Sequence, residues 1–347
     1  MLCVSLGVSA RADDLNARAA QVKTQLQTTL LPALAQTPTA NKSAESLAAL
    51  LQTLSRAHRL GYSTPQHNYL DAARVQYQFL RSAREDKTSG GFYDDASGKN
   101  PALAKSSQTQ AQVVSALVEY ARASGQSEPR GLAIKTWRSL RDRARDKTNG
   151  GYYDSFLSGA LGPTQASGSG FKSARTHLRL LEAGTALFAF TRDRSIRRDV
   201  EELLDLNEGR FFPTNQRQPP SLYTPEWKAL TFIVVNLMNP DDFYPRSEVV
   251  RAGVAIARAQ DALGLPVGWV DFSRRADAPS QPQNSIFLGR ALDSLSLLAQ
   301  NIPNSREQRA AQIDEVLKRM NSQTPDAQGG RALLDFVAAF DSPSSPQ

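Results

Sequence analysis

The chain has 347 residues, 40% hydrophobic and 22% charged, with 41 lysines and arginines against 34 acids, a net charge of +7. Its single cysteine, Cys3, excludes an intrachain disulfide and a cysteine-built metal site, and no apolar run approaches the ~20 residues a membrane-spanning helix needs. The basic surplus sits in KTWRSLRDRARDK (135–147) and TRDRSIRRD (191–199), where interleaved acids at helical spacing read as a solvated outer face rather than a nucleic-acid surface.

At the N-terminus, a short apolar run precedes Ala10-Arg11-Ala12 and Asp13. This A-x-A pattern reads as the end of a truncated secretory signal over residues 1–12, which implies a periplasmic or secreted protein. Beyond it, Ala, Leu, Gln and Arg dominate and β-branched runs are scarce, TFIVV at 231–235 excepted, so the expected class is all-α. Breakers and apolar spacing predict helices near 14–35, 43–60, 68–86, 106–124, 128–146, 173–191, 194–207, 223–238, 246–263, 284–300, 305–320 and 330–340. The helix over 128–146 is amphipathic, with Leu132, Ile134, Trp137 and Leu140 opposite a basic face, whereas those over 173–191 and 223–238 are apolar almost all round.

Glycine loops fall between the members of these pairs. DKTSGGFYDD (86–95) returns as DKTNGGYYDS (146–155), followed by Gly209, Gly268 and Gly329-Gly330, each step about sixty residues. Outer helix, glycine loop, inner helix, six times over, is the order of an (α/α)6 toroid, here one domain over 13–341 with a disordered tail at 342–347. A linear solenoid of helical hairpins is the rival arrangement. In the toroid, the loops ring the mouth of a central funnel. Tyr93, Tyr152, Tyr153, Phe212, Tyr223, Trp227 and Trp269 gather there, suited either to stacking on sugars or to plugging adjacent loops. Asp94, Asp154 and Asp271 offer either a glycosidase carboxylate pair or caps for the next turn. There is no H-E-x-x-H, P-loop or dinucleotide glycine pattern, so no metal or cofactor is expected.

RTHLRLLEAGTALFAFTRD (175–193) resembles the N-acylglucosamine 2-epimerase and cellobiose 2-epimerase superfamily, where an inner helix reads approximately T-H-L-H-x-L-E-A before a Leu-rich turn and Thr-x-Asp. DKTNGGYYDS, and Lys105 after the previous loop, fit the same pattern, and the likeness is best over 68–207. The resemblance implies an (α/α)6 barrel that binds a sugar in the funnel. It also implies histidines that move a proton beside a carbonyl, a task imidazole suits because it titrates near neutrality.

Position by position, the chain departs from that pattern. The family histidine three residues before Glu182 is Arg179 here, His177 keeps the T-H-L part, and Gly-His-x-x-Glu becomes Leu222-Tyr223-Thr224-Pro225-Glu226. The histidine expected on the last inner helix is absent, since His58, His67 and His177 are all there are. Two readings follow. Tyr223, Glu226 and Arg179 have taken over the proton and charge roles in an enzyme that isomerises or cleaves a glycan, or the chain is a non-catalytic glycan-binding protein. Substrate contacts are expected from Arg56, where the family places a sugar-binding arginine, and from Lys105, His177, Glu182, Tyr93, Tyr153, Trp227 and Trp269. A basic funnel favours an anionic glycan. The sequence sets no oligomeric state. Arg179 and Glu182, three apart, share a helix face. His177 lies about 200° around from Arg179 and should face a neighbouring helix or the rim.

Overall fold

Side-chain caps set where several helices begin. Ser43 accepts from Ser46 N, Asn68 from Leu70 N and Asp71 N, and Ser106 from Thr109 N, satisfying donors that a first turn leaves open. The computed structural model describes residues 6–95, 104–157, 172, 174–206, 289, 292, 295–296, 299, 306–321 and 326–340. They form α1 (Leu6–Gln25), which passes through a π-helical turn (Leu26–Leu30) into α2 (Leu31–Ala35), then α3 (Ala44–Arg59). Next come α4 (Tyr69–Phe79), ending in a second π-helical turn (Leu80–Arg84), β1 (Ala104–Ser106), α5 (Ser107–Ser124) and α6 (Ser127–Ala144). The remainder is β2 (Ser155–Leu157), α7 (Ala174–Thr191), α8 (Arg194–Leu206), α9 (Arg306–Asn321) and α10 (Ala327–Phe340). Ala10-Arg11-Ala12 falls within α1. Residues 289, 292, 295, 296 and 299 are helical, in the span predicted over 284–300, while the helices predicted over 223–238 and 246–263 and the tail at 342–347 lie outside the described residues. No helix among the described residues is long and apolar enough to cross a membrane.

Where the periodicity predicts one domain over 13–341, contacts group the chain into two compact units, residues 1–34 with 245–347 and residues 35–244. In the first unit α1 packs on α9 and α10, burying Leu15, Ala19 and Val22 of α1 and Leu333, Leu334, Phe336, Val337 and Phe340 of α10. Arg18 Nε pairs with Asp314 Oδ1 at 3.0 Å. Gly329-Gly330, expected as the last glycine loop where a helix over 330–340 begins, are buried inside the first turn of α10, which starts three residues earlier than expected. The cause is Asp326, whose carboxylate accepts from Gly329 N at 2.7 Å and so starts the helix earlier.

In the second unit α3, α5 and α7 stand side by side, and α4, α6 and α8 pack on them in turn. The two rows differ as their compositions require. Nearly every residue of α5 from Ser107 to Ala121 is buried, whereas α6 buries one stripe, Leu132, Ala133, Thr136, Trp137, Leu140 and Ala144. Fully burying each such large apolar side chain contributes about 1.5–3 kcal/mol. Two three-residue strands, absent from the sequence expectation, pair antiparallel, Ala104 with Leu157, Lys105 with Phe156 and Ser106 with Ser155.

Gly184 of α7 marks the closest approach of the rows. A Cβ there would stand 2.8 Å from the Trp137 ring and 3.0 Å from Val200 Cγ2. Trp137 cannot swing away freely, because its Nε1 donates to Asp199 Oδ2 at 2.8 Å. Gly184→Ala should therefore destabilise by about 1–3 kcal/mol through overpacking, against a helix-propensity gain of ~1 kcal/mol. A urea midpoint equal to or above the parent's would show that the hairpins do not pack this closely.

Candidate functional site

The two matching loops are built alike, atom by atom. Asp86 Oδ1 accepts from Thr88 N and Ser89 N at 3.0 and 2.9 Å, and Asp146 Oδ1 from Thr148 N and Asn149 N at 2.9 and 3.0 Å. The chain then reverses through Gly90-Gly91 at φ +77° and +74° and through Gly150-Gly151 at +72° and +76°, backbone that side chains other than glycine rarely adopt. A lysine two residues before the following helix closes each turn. Lys105 Nζ donates to Asp86 Oδ2 and Gly90 O, both at 2.7 Å, and Lys172 Nζ to Asp146 Oδ2 and Gly150 O at 2.6 and 2.7 Å. Each ammonium also lies over a tyrosine ring, Tyr93 at 4.8 Å and Tyr153 at 4.9 Å. Burial pushes the Asp86 carboxyl up, but hydrogen bonds from Lys105 and Ser89 N outweigh it and hold the group below its ordinary value. Asp146 is held well below, chiefly by Lys172 and then by Asn149 N.

Five residues after each lysine, an inner-helix acceptor takes the backbone N–H of the aromatic. Gln110 Oε1 accepts from Phe92 N at 2.8 Å, and His177 Nε2 accepts from Tyr152 N at 2.9 Å. This geometry gives several of the expected substrate-contact residues partners within the protein. Lys105 and His177 are fully enclosed, Lys105 as the counter-ion of its loop and His177 as a neutral imidazole protonated at Nδ1. The Tyr93 ring and the Tyr153 ring each give one face to a lysine, and the Tyr153 hydroxyl donates to Asp146 Oδ2 at 2.9 Å. Lys172 and Gln110 were missed. Sliding KSSQTQ (105–110) onto KSARTH (172–177) is the signal that finds them, since Lys, Ser and Thr coincide and Gln meets His.

A second constellation runs along the inner helices. On α3, α5 and α7, polar residues recur along one face at steps of three, four or seven: Gln52, Arg56 and Arg59; Gln108, Gln112, Glu119 and Arg122; Arg179 and Glu182. Neighbouring stripes meet. Gln112 Nε2 donates to Gln52 Oε1 at 2.8 Å. Glu119 Oε1 accepts from Arg59 Nε at 2.7 Å with Arg56 Nη1 at 4.0 Å, and Glu119 Oε2 lies 3.9 Å from Arg122 Nη1. Arg179 Nη1 pairs with Glu182 Oε2 at 3.1 Å. Burial pulls the Arg122 guanidinium below its ordinary pKa, Glu119 opposes this, and the Arg56 charge adds to it. The Arg56, Arg179 and Glu182 side chains keep 25%, 15% and 13% of their surface exposed. Arg59, Gln52, Gln112, Glu119 and Arg122 were missed by motif matching, although their spacing is legible. Charged donors and acceptors held at fixed separations can fix ring hydroxyls and stabilise a developing oxyanion.

All three histidines lie off this stripe. His58 Nδ1 is 2.9 Å from Ser63 Oγ, His67 stacks beside Tyr69 at 6.3 Å, and His177 holds its loop. Tyr223, Glu226, Trp227 and Trp269 lie outside the described residues, as does Asp271.

Asp94 ties its loop to two inner helices, its carbonyl accepting from Ala44 N at 3.3 Å and its Oδ2 from Ser106 N at 2.5 Å. Its Oδ1 is buried without a hydrogen bond, and burial pushes the carboxyl up to about 7, from 3.8. The folded state therefore holds a proton that the unfolded state has released between these values, and stability falls as pH rises through that window. Asp86 and Asp146, shifted the other way, act only at pH below about 4. Asp94→Asn should consequently show a smaller loss of melting temperature than the parent between pH 4.5 and 7.5. Identical slopes would remove Asp94 as a source of the pH dependence.

The fold matches that of a cellobiose 2-epimerase from Spirochaeta thermophila over 94% of this chain and 98% of that one, with a TM-score of 0.74 and 22% identity. It also matches a GH76 α-mannanase from Bacteroides thetaiotaomicron over 86% of each chain, with a TM-score of 0.57 and 12% identity. With its hairpins of buried inner and amphipathic outer helices, the chain is thus an all-α protein of the (α/α)6 toroid class. The family model for N-acylglucosamine 2-epimerase (GlcNAc 2-epimerase) matches residues 47–246, so the chain belongs to the N-acylglucosamine 2-epimerase family. A cellobiose 2-epimerase from Dictyoglomus turgidum is 28% identical over 162 residues, 44% of this chain and 41% of that protein, so the match spans less than half of this curated relative.

Proposed function

We propose that the chain is a carbohydrate-active, epimerase-like protein that holds a sugar or oligosaccharide against the polar stripe of α3, α5 and α7. The observation carrying this reading is the row of arginine–carboxylate and amide pairs, Arg59–Glu119, Gln112–Gln52 and Arg179–Glu182, on inner helices within the family match. In the enzymatic form, Arg179 lies beside the sugar's carbonyl oxygen and stabilises the enolate-like charge that develops when the proton on the neighbouring carbon leaves. Tyr223 and Glu226 exchange that proton in place of imidazole. Isomerisation and cleavage both use such groups, and the surplus of basic residues suits an anionic glycan. The apolar run before Ala12 supports export to the periplasm or beyond.

A second reading, glycan binding without turnover, is favoured by one observation. Every imidazole of the chain is placed off the stripe, and a guanidinium at position 179 cannot shuttle a proton.

Incubation with neutral and acidic oligosaccharides in deuterated water separates these outcomes. The expected result is a C2 epimer or ketose carrying deuterium, abolished by Tyr223→Phe or Glu226→Ala. A new reducing end means cleavage, and saturable binding without product supports the second reading. Under either, Arg179→Ala should weaken binding or turnover about tenfold or more. A variant that binds and turns over sugar like the parent would remove the stripe as the site.

A further inference from the structure

A polar cleft of about 410 Å³ opens between α4, the end of α5 and the start of α6, with Tyr120, the residue after Glu119, as its α5 wall. That volume lies within the ~300–1,000 Å³ of ordinary small-molecule sites. Arg74, Tyr77 and Arg81 project into it from α4, Tyr120 from α5 and Glu128 from α6, and Lys87 stands at the edge, one residue after Asp86. Neither the stripe nor the glycine loops use these side chains.

The cations here are unevenly matched. Arg74 pairs with Asp71 at 2.8 Å, and Arg81 pairs with Glu128 and, at 3.4 Å, with Glu85, which Lys135 also approaches at 3.7 Å. Lys87 is exposed and has no ion-pair partner among the described residues, so the cleft carries a positive surplus at its mouth. The two tyrosines pack ring to ring, 4.8 Å between centroids, with the Tyr120 hydroxyl beside Arg74. Tyr77 is 4% exposed, yet its hydroxyl makes no hydrogen bond of normal geometry. Burial, and then the Glu128 carboxylate nearby, push that hydroxyl up to about 12, so it remains a donor at physiological pH. Glu128 and Arg81 stand within reach of that hydroxyl without meeting it in good geometry, so it is free to turn to a better-placed ligand oxygen in the cleft. The rest of the lining, Gln78, Ser82 and Gln126, supplies amides and a hydroxyl of the kind that meet ring hydroxyls.

We propose that this cleft is a second binding site, separate from the inner-helix stripe, for a small acidic sugar whose ring hydroxyls meet the glutamines and Ser82 and whose oxyanion lies between Arg74, Lys87 and the Tyr77 hydroxyl. The oxyanion is a carboxylate or a phosphate. The site rests on side chains outside the stripe and does not depend on what the stripe binds.

Calorimetric titration of the full chain at low salt with glucuronate, glucose 6-phosphate and glucose tests it. Arg179→Ala serves as background, to weaken the stripe. Either acidic sugar should bind at least tenfold more tightly than glucose, the stronger of the two identifying the oxyanion. Arg74→Ala combined with Lys87→Ala should weaken that binding about tenfold or more. Tyr77→Phe should weaken it about fivefold while changing the melting temperature little, because the hydroxyl it removes makes no well-formed hydrogen bond in the free protein. The proposal is overturned if the acidic sugars bind no better than glucose. It is equally overturned if their binding survives the double variant, or if Tyr77→Phe lowers the melting temperature and leaves affinity untouched.

Discussion

A lysine ammonium shut between a carboxylate and a glycine carbonyl holds each of the two described glycine loops to the helix that follows it. Lys105 has no solvent exposure and Asp86 has 2%, an arrangement tolerated only because the charges are paired and the remaining lone pairs are bonded. The carboxylate gathers the turn's N–H groups, the turn presents Gly90 O, and the ammonium joins both. With Lys105 fixed on β1 and Gln110 bonded to Phe92 in both directions, at 2.8 Å each, the rotation of α5 about its axis is set. Everything else α5 presents follows from that rotation: Gln112 towards Gln52, Glu119 towards Arg59, Tyr120 towards Tyr77.

The same loops act sideways as well as forwards. Asp94 O accepts from Ala44 N at the start of α3, and Asp154 O accepts from Ser107 N at the start of α5. Each loop thus holds its own inner helix by lysine and amide or imidazole, and the preceding one by a carbonyl. A polar stripe on one inner helix can meet its neighbour's only if both helices start at matched heights. These links supply that match without any contact from the stripe itself.

Much of this was legible in the sequence, and what was not has physical causes. The hairpin pattern could be read because inner and outer helices differ in how much apolar surface they carry, α5 against α6 being the clearest contrast. Among the described residues the glycine phase departs from the structure at Gly329-Gly330, where an Asp cap three residues earlier overrides glycine's preference for turns. Site residues were harder. Motif matching fixed on Lys105 and His177 because they are chemically capable residues, but a pattern cannot tell a side chain that faces a ligand from one that faces its own backbone. Arg59, Glu119 and Arg122 match no motif. They become visible only when residues three and four apart are set on one face of a helix whose other faces are apolar.

One feature of the loops bears on how histidines in such toroids are counted. Gln110 and His177 occupy the same place in two copies of one loop and make the same bond to the same backbone position. What the two copies share is an acceptor of the right reach, and an amide and an imidazole satisfy it alike. The bond to the loop thus accounts for the imidazole at 177 without any proton chemistry. In this chain, an inner-helix histidine counts as an acid–base group only once it is known what its ring nitrogens are bonded to, and at 177 one of them is bonded to the loop.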